Sequence, residues 1–151
     1  MPKTSQESTV KRGLGRAMSQ PTGKNEITPI CTGLKSVNTI LYCAKWEETI
    51  RFYKDLLCLP VIFSTDWFVE FELTDTTRLS IADQRQTTIK SAGGGGITLT
   101  LEVNDIHTVW EKVFKAELKP SDIKAHNWNA YTFHIFDPEG HRLEFWQPQK
   151  R

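Results

Sequence analysis

Residues 37–50, VNTILYCAKWEETI, and residues 97–110, ITLTLEVNDIHTVW, run through the same order of apolar and polar positions at a separation of 60. Pro60 and Pro120 keep that separation. Further along it widens to 64, as if four residues had been inserted. WFVEFELTDTTRLS from Trp67 then falls on YTFHIFDPEGHRLE from Tyr131, with Arg78-Leu79 on Arg142-Leu143 and Ser80 on Glu144. Few identities survive, but the order of elements repeats. A chain of 151 residues with one such internal repeat reads as a single domain built from two similar halves.

Each half reads strand, helix, strand, strand, strand. The first strands are expected at 37–43 and 97–103. In the second of these Ile97, Leu99, Leu101 and Val103 face one way and Thr98, Thr100 and Glu102 the other, the period of a half-buried strand. Helices are predicted over 45–57 and 105–116. Trp46, Ile50, Tyr53 and Leu57 share one face of the first; Ile106, Val109, Trp110 and Val113 share one face of the second, with Asn104 as its N-cap. Further strands are expected at 61–64, 67–73 and 78–82, and at 122–124, 131–136 and 142–147. Asp137-Pro138-Glu139-Gly140 has the chemistry of a tight turn. The glycines at 93–96 precede a strand and not a helix N-terminus, so they read as a flexible linker and not as a phosphate cradle. The expected organisation is an N-terminal extension, 1–34, followed by a domain at 35–148 with modules at about 35–92 and 97–148.

Charge sits near balance at +1, which gives no general attraction to nucleic acid or to an anionic membrane. No apolar run approaches the roughly 18–20 residues of a spanning helix, and no apolar signal region is expected at the N-terminus. Cys31, Cys43 and Cys58 show neither CxxC nor zinc-site spacing, and a reducing cytoplasm is the expected location. The extension is rich in Ser, Thr, Gly and Pro, and Lys3, Lys11, Arg12, Arg16 and Lys24 outnumber Glu7 and Glu26. It reads as a mobile tail.

The twofold strand-helix-strand-strand-strand pattern, FYKDLLCLP at 52–60 and above all FDPEGHRLEFW at 136–146 resemble the vicinal oxygen chelate superfamily. That superfamily includes glyoxalase I, extradiol dioxygenases, fosfomycin-resistance enzymes and bleomycin-binding proteins. The resemblance covers about 35–148; Cys58 stands where the family usually has Gly. It implies an α+β fold in which two βαβββ modules form a curled mixed sheet around a cavity, helices outside. In metal-dependent members the first and last strands of each half supply four ligands, two His and two carboxylates or a close variant. Those positions are here Asn38, Ser80, Thr98 and Glu144. Amide and hydroxyl oxygens hold transition metals poorly, and a catalytic site usually has three good protein ligands. No metal is therefore expected at the standard centre, and no cofactor. A divalent metal is conceivable only at a displaced Glu70–His134–Glu144 site, which has no local ligand spacing.

Strand parity carries these positions to a wider lining: Ile40, Tyr42, Thr100 and Glu102 on the first strands, Ala82 and Trp146 on the last. On the third strands it adds Phe68, Glu70 and Glu72, and Thr132, His134 and Phe136. Aromatic faces with carboxylates suit a small organic molecule bearing a polar or cationic group. Each residue also has a plainer account. Glu144 would pair with Arg78 or Arg142, His134 would be a satisfied core histidine, and Glu70 and Glu72 would lie at a wetted sheet face. Trp67 and Trp128 read either as a lid or as packing; His107, His126 and His141 are expected at the surface. Three functions follow. The first is a metal-independent protein that binds a small organic ligand through Asn38, Tyr42, Phe68, Glu70, Ser80, Thr98, Phe136 and Trp146. The second is a glyoxalase-like lyase, isomerase or dioxygenase with Glu144 and His134 as acid–base groups. The third is an interaction protein that works through its basic tail. Members of the family often dimerise, and the module surfaces are compatible with a homodimer although the sequence shows no dimer seam; no nucleic-acid or membrane partner is expected.

Overall fold

The computed structural model describes residues 27–150, so the expected extension at 1–34 lies mostly outside the described residues. From Leu34 on, the chain forms one compact unit. Its elements are β1 (Val37–Cys43), α1 (Trp46–Arg51), β2 (Val61–Ser64), β3 (Phe68–Thr74), β4 (Thr77–Asp83), β5 (Thr98–Glu102), α2 (Ile106–Lys115), β6 (Lys124–His126), β7 (Ala130–Phe136) and β8 (Arg142–Pro148). They make two four-stranded mixed sheets, ordered β1-β4-β3-β2 and β5-β8-β7-β6. In each, the first strand lies parallel to the last, a pairing that needs a crossover, which α1 or α2 helps to supply. The fold is α+β with two βαβββ modules.

The register reproduces the sequence repeat. Asn38 pairs with Arg78 and Ile40 with Ser80; in the second module Thr98 pairs with Arg142 and Thr100 with Glu144. Across the antiparallel pairs Glu70 meets Ser80 and His134 meets Glu144. The smaller Ser80, Ala82, Ala130 and Thr132 are buried at even positions, but the odd-numbered residues of the central strands supply the large apolar core: Val69, Phe71, Leu79 and Ile81 in one sheet, Phe133, Ile135, Leu143 and Phe145 in the other. With Phe52, Tyr53, Ile106 and Val113 from the helical segments they belong to one continuous core.

Several local expectations are corrected. The first helix is α-helical only to Arg51 and widens into a π-helical turn at Phe52–Leu56. Asp105, not Asn104, caps α2: its carboxylate accepts from the Thr108 N–H at 3.1 Å. The weak third-quarter strand lies at Lys124–His126, later than 122–124. The glycine run is a packed turn and not a loose linker. Gly94 is buried with φ +80, and a Cβ there would collide with the Gly140 backbone. His141 is buried, not at the surface.

These last two corrections share a cause, because the Asp137–His141 turn docks one module on the other. The Ala44 and Lys45 N–H groups, at the entrance to α1, donate to Glu139 Oε1 and Oε2 at 2.8 and 2.7 Å. The Ser91 hydroxyl donates to the same carboxylate. Helix entrances present unsatisfied N–H groups that favour an anion, and here the second module supplies it. Beside it, Asp137 accepts from the Gly140 and His141 N–H groups at 2.9 and 2.8 Å and from the Tyr53 hydroxyl at 2.8 Å. His141 Nδ1 lies 2.8 Å from the same carboxylate. Burial, reinforced by Asp137, pushes the Tyr53 hydroxyl up, so it stays a donor. Cys43 lies close by; burial, then Glu139 and Asp137, push its thiol up to about 12, which leaves it unreactive.

Both modules also border an apolar crevice of about 240 Å³, lined by Leu79, Leu99, Leu101, Leu143 and Phe145 from the sheets and by residues of both helical segments. The helix-bearing faces of the two sheets thus share one space. Among the described residues no helix is long and apolar enough to cross a membrane.

Candidate functional site

The even-numbered faces of the two sheets carry the lining residues assigned by strand parity. On the first, Asn38 comes from β1 and Ser80 from β4, and the Ser80 hydroxyl donates to Asn38 Oδ1 at 2.8 Å. Arg78 reaches Glu70 at 3.8 Å and Glu72 at 3.6 Å, and donates to the Thr74 carbonyl at 2.8 Å. Aromatic rings gather beyond: Phe68 lies 6.2 Å from Phe63 and 5.6 Å from Trp67, centroid to centroid. A pocket of about 140 Å³ sits there, lined by Ile40, Tyr42, Trp67, Phe68 and Ala82 with Thr87, Thr88 and Ile89.

On the second sheet Glu144 is held by Arg142 at 3.0 Å, one of the two partners its sequence position allowed. The same guanidinium lies 3.5 Å from His134 Nδ1. Arginine only donates, so that nitrogen accepts. Burial, followed by the Arg142 charge, holds the His134 pKa below the ordinary imidazole value. His134 is therefore a neutral acceptor near pH 7, and Glu144 a carboxylate already paired. Thr132 bonds His126 Nε2 at 2.8 Å, and His126 stacks on Trp128. Trp128 and Trp146 stand 6.4 Å apart, tilted by 54°. Thr100, Trp128, Glu144 and Trp146 line a pocket of about 210 Å³. Thr98 is exposed on β5, and Phe136 lies at the far end of β7, its ring edge-on to His134.

The structure therefore brings Asn38 and Ser80 together, and Glu144, His134 and Trp146 together, on different sheets. The pockets over these faces each draw on one module. The donor set at the four family positions does not fit a divalent ion. Asn38 and Ser80 satisfy one another, Thr98 offers a hydroxyl, and Glu144 is neutralised by Arg142. Among the described residues no three His, Cys, Asp or Glu side chains are grouped to hold a metal. Residues 87–89 line a pocket without having been singled out; they lie between the periodic segments, where no pattern marks them.

The family model for the Glyoxalase/Bleomycin resistance protein/Dioxygenase superfamily matches residues 35–145, and the chain belongs to that superfamily. Solved structures agree on the fold. A glyoxalase/bleomycin resistance protein/dioxygenase from Nocardioides is 18% identical, with TM-score 0.69, over 82% of this chain and 88% of that one. Lactoylglutathione lyase from Agrobacterium tumefaciens is 18% identical, TM-score 0.62, over 80% and 95%. Another Agrobacterium tumefaciens protein, solved in solution, is 27% identical, TM-score 0.60, over 75% and 96%. No curated protein matches the chain.

Proposed function

We propose that this chain binds a small organic molecule without the superfamily's metal centre, in a pocket completed by a second copy. The observation that carries the reading is the fate of the four ligand positions: a closed Asn38–Ser80 hydrogen bond, an exposed threonine and a carboxylate paired to arginine. What remains on the two faces is aromatic and polar. Trp128 and Trp146 make a tilted pair beside Glu144, and Tyr42 and Phe68 answer them on the other sheet. An aromatic ligand with a cationic or hydrogen-bonding group matches such walls.

A dimer enters because each sheet face holds only half of the lining and leaves large apolar side chains in water. Ile40, Phe63 and Trp67 are exposed on the first face, Trp128 and Phe136 on the second. Contiguous exposed aromatics mark interaction surfaces. The first module of one copy set against the second module of another encloses both sets in one cavity. Elemental analysis of native protein, alongside tryptophan fluorescence titration with aromatic cations, tests the reading. Saturable quenching, lost in Trp146→Ala, with no stoichiometric metal is expected. A stoichiometric Zn, Ni, Mn or Fe ion whose removal abolishes a turnover would overturn it.

The lyase, isomerase or dioxygenase reading keeps one supporting observation, the cross-strand pairing of His134 with Glu144. It requires Arg142 to release Glu144 when substrate arrives. A catalysed reaction in wild type that disappears in Glu144→Gln would favour it.

A further inference from the structure

The apolar crevice between the modules lies on the opposite side of both sheets from the pockets discussed above. Interiors seldom keep voids larger than a water molecule, and those lined by aliphatic groups stay dry and take up apolar molecules. At about 240 Å³ it falls just below the roughly 300–1,000 Å³ of drug-sized sites, a size for a short chain. Its lining is leucine, valine, alanine and phenylalanine with two polar exceptions, Tyr53 and Lys112. The Tyr53 hydroxyl is already given to Asp137. Lys112 is exposed, and no ion pair among the described residues engages it. An apolar chamber with one unengaged ammonium at its rim complements one chemistry, a hydrocarbon chain ending in an acid.

A second cleft adjoins the crevice on one side. Leu56 and Leu118 line both spaces and form the partition between them. Leu56 ends the π-helical turn, a widening often found at functional sites. Leu118 sits between Glu117 and Lys119, at φ 60 and 52, two non-glycine residues in the left-handed region. Such strain gathers at ligand clamps and switch segments. Both halves of the partition thus adjoin irregular backbone.

We propose that this crevice is a second binding site, for a short aliphatic carboxylate whose chain lies among Leu99, Leu101, Val109 and Phe145 and whose acid group meets Lys112. It stands apart from the sheet-face site in place, polarity and ligand. A 1H–15N NMR titration of the full chain with octanoate, and separately with 1-octanol, tests it. Octanoate is expected to saturate at one per chain, moving the amides of Val109, Lys112 and Leu118 and leaving Thr100 and Trp128 still. Lys112→Gln, a surface change, should weaken octanoate about fivefold and leave octanol unaffected. Leu101→Phe, which fills the crevice, should remove both if its spectrum stays that of a folded chain. Shifts confined to the sheet-face amides, binding indifferent to Lys112→Gln, or shifts that follow protein concentration and so mark a second copy as the occupant would each overturn the proposal. Failure of aromatic cations to bind the sheet faces would leave the octanoate shifts in place.

Discussion

Glu139 shows how one side chain can join two structural units. Its carboxylate is nearly buried, and burial alone would raise its pKa. The Ser91 hydroxyl and the Ala44 and Lys45 N–H groups outweigh that and hold it below the ordinary carboxylate value. A depressed carboxylate contributes stability above its unfolded value, near 4.5, and loses it as pH falls through the folded value. Wild-type stability should therefore drop below about pH 4.5, and Glu139→Gln should flatten that acid limb in urea melts run between neutral and acid pH. Glu139→Ala should cost roughly 2–4 kcal/mol at neutral pH, because buried donors lose a charged acceptor. Cys58 offers the opposite case. Following Leu57 at the end of the helical segment, it takes φ 56, a position where glycine escapes the Cβ penalty. Cys58→Gly should raise stability by about 0.5–1 kcal/mol, read as a higher urea midpoint at constant slope. The sequence marked both residues, one as turn chemistry and one as a departure from the family's glycine. It did not show that Glu139 reaches the entrance of α1, some 94 residues away along the chain, because no periodicity records such a distance.

At the level of elements, alternation did most of the work. The large apolar residues at odd positions of β3, β4, β7 and β8 pack in the core, and parity alone assigned them, since a strand has only two faces; the burial of Ser80, Ala82 and Thr132 on the other face does not follow from parity. Helix phase was equally legible in α2, whose Ile106 and Val113 are buried. What alternation cannot say is which covered face meets which. Asn38 and Glu144 share a parity, yet they lie on different sheets. The π-helical turn escaped notice for a related reason: Tyr53 and Leu57 keep helical spacing whether the backbone closes at four residues or five. The glycine run was misread because a linker and a packed turn use the same residue, and only the approach of Gly140 separates them. Gly94→Ala should destabilise by roughly 2–4 kcal/mol, whereas Gly95→Ala, outside the left-handed region and with its Cβ meeting only the Ala92 carbonyl at an ordinary 3.5 Å, should be almost neutral. Thermal melts of the pair distinguish a packed turn from a linker.

For the whole molecule, the proposed second copy has a consequence that can be measured. The aromatic side chains left in water on both faces predict a concentration-dependent monomer–dimer equilibrium in sedimentation velocity. Phe136→Asp, at an exposed strand end, should shift it toward monomer by at least tenfold in Kd, the cost of placing a charge in an apolar contact. The family relationship was readable from the repeat and from FDPEGHRLEFW, and that segment turns out to serve architecture as well as the site: its Asp137 and Glu139, with His141 on Asp137, dock the modules, while Glu144 and Trp146 line a sheet-face pocket. The docking is lopsided. The corresponding turn of the first module, at Leu73–Thr77, has Leu73 where Asp137 stands and Asp75 where Glu139 stands, and Leu73 faces the crevice instead. Among the described residues the polar fastening of the joint is therefore on one side, like the hinge of a door. Swinging about that pin would part Leu56 from Leu118 while the Ala44 and Lys45 hydrogen bonds stay closed, so amide exchange at those two residues should lag well behind exchange at Leu118.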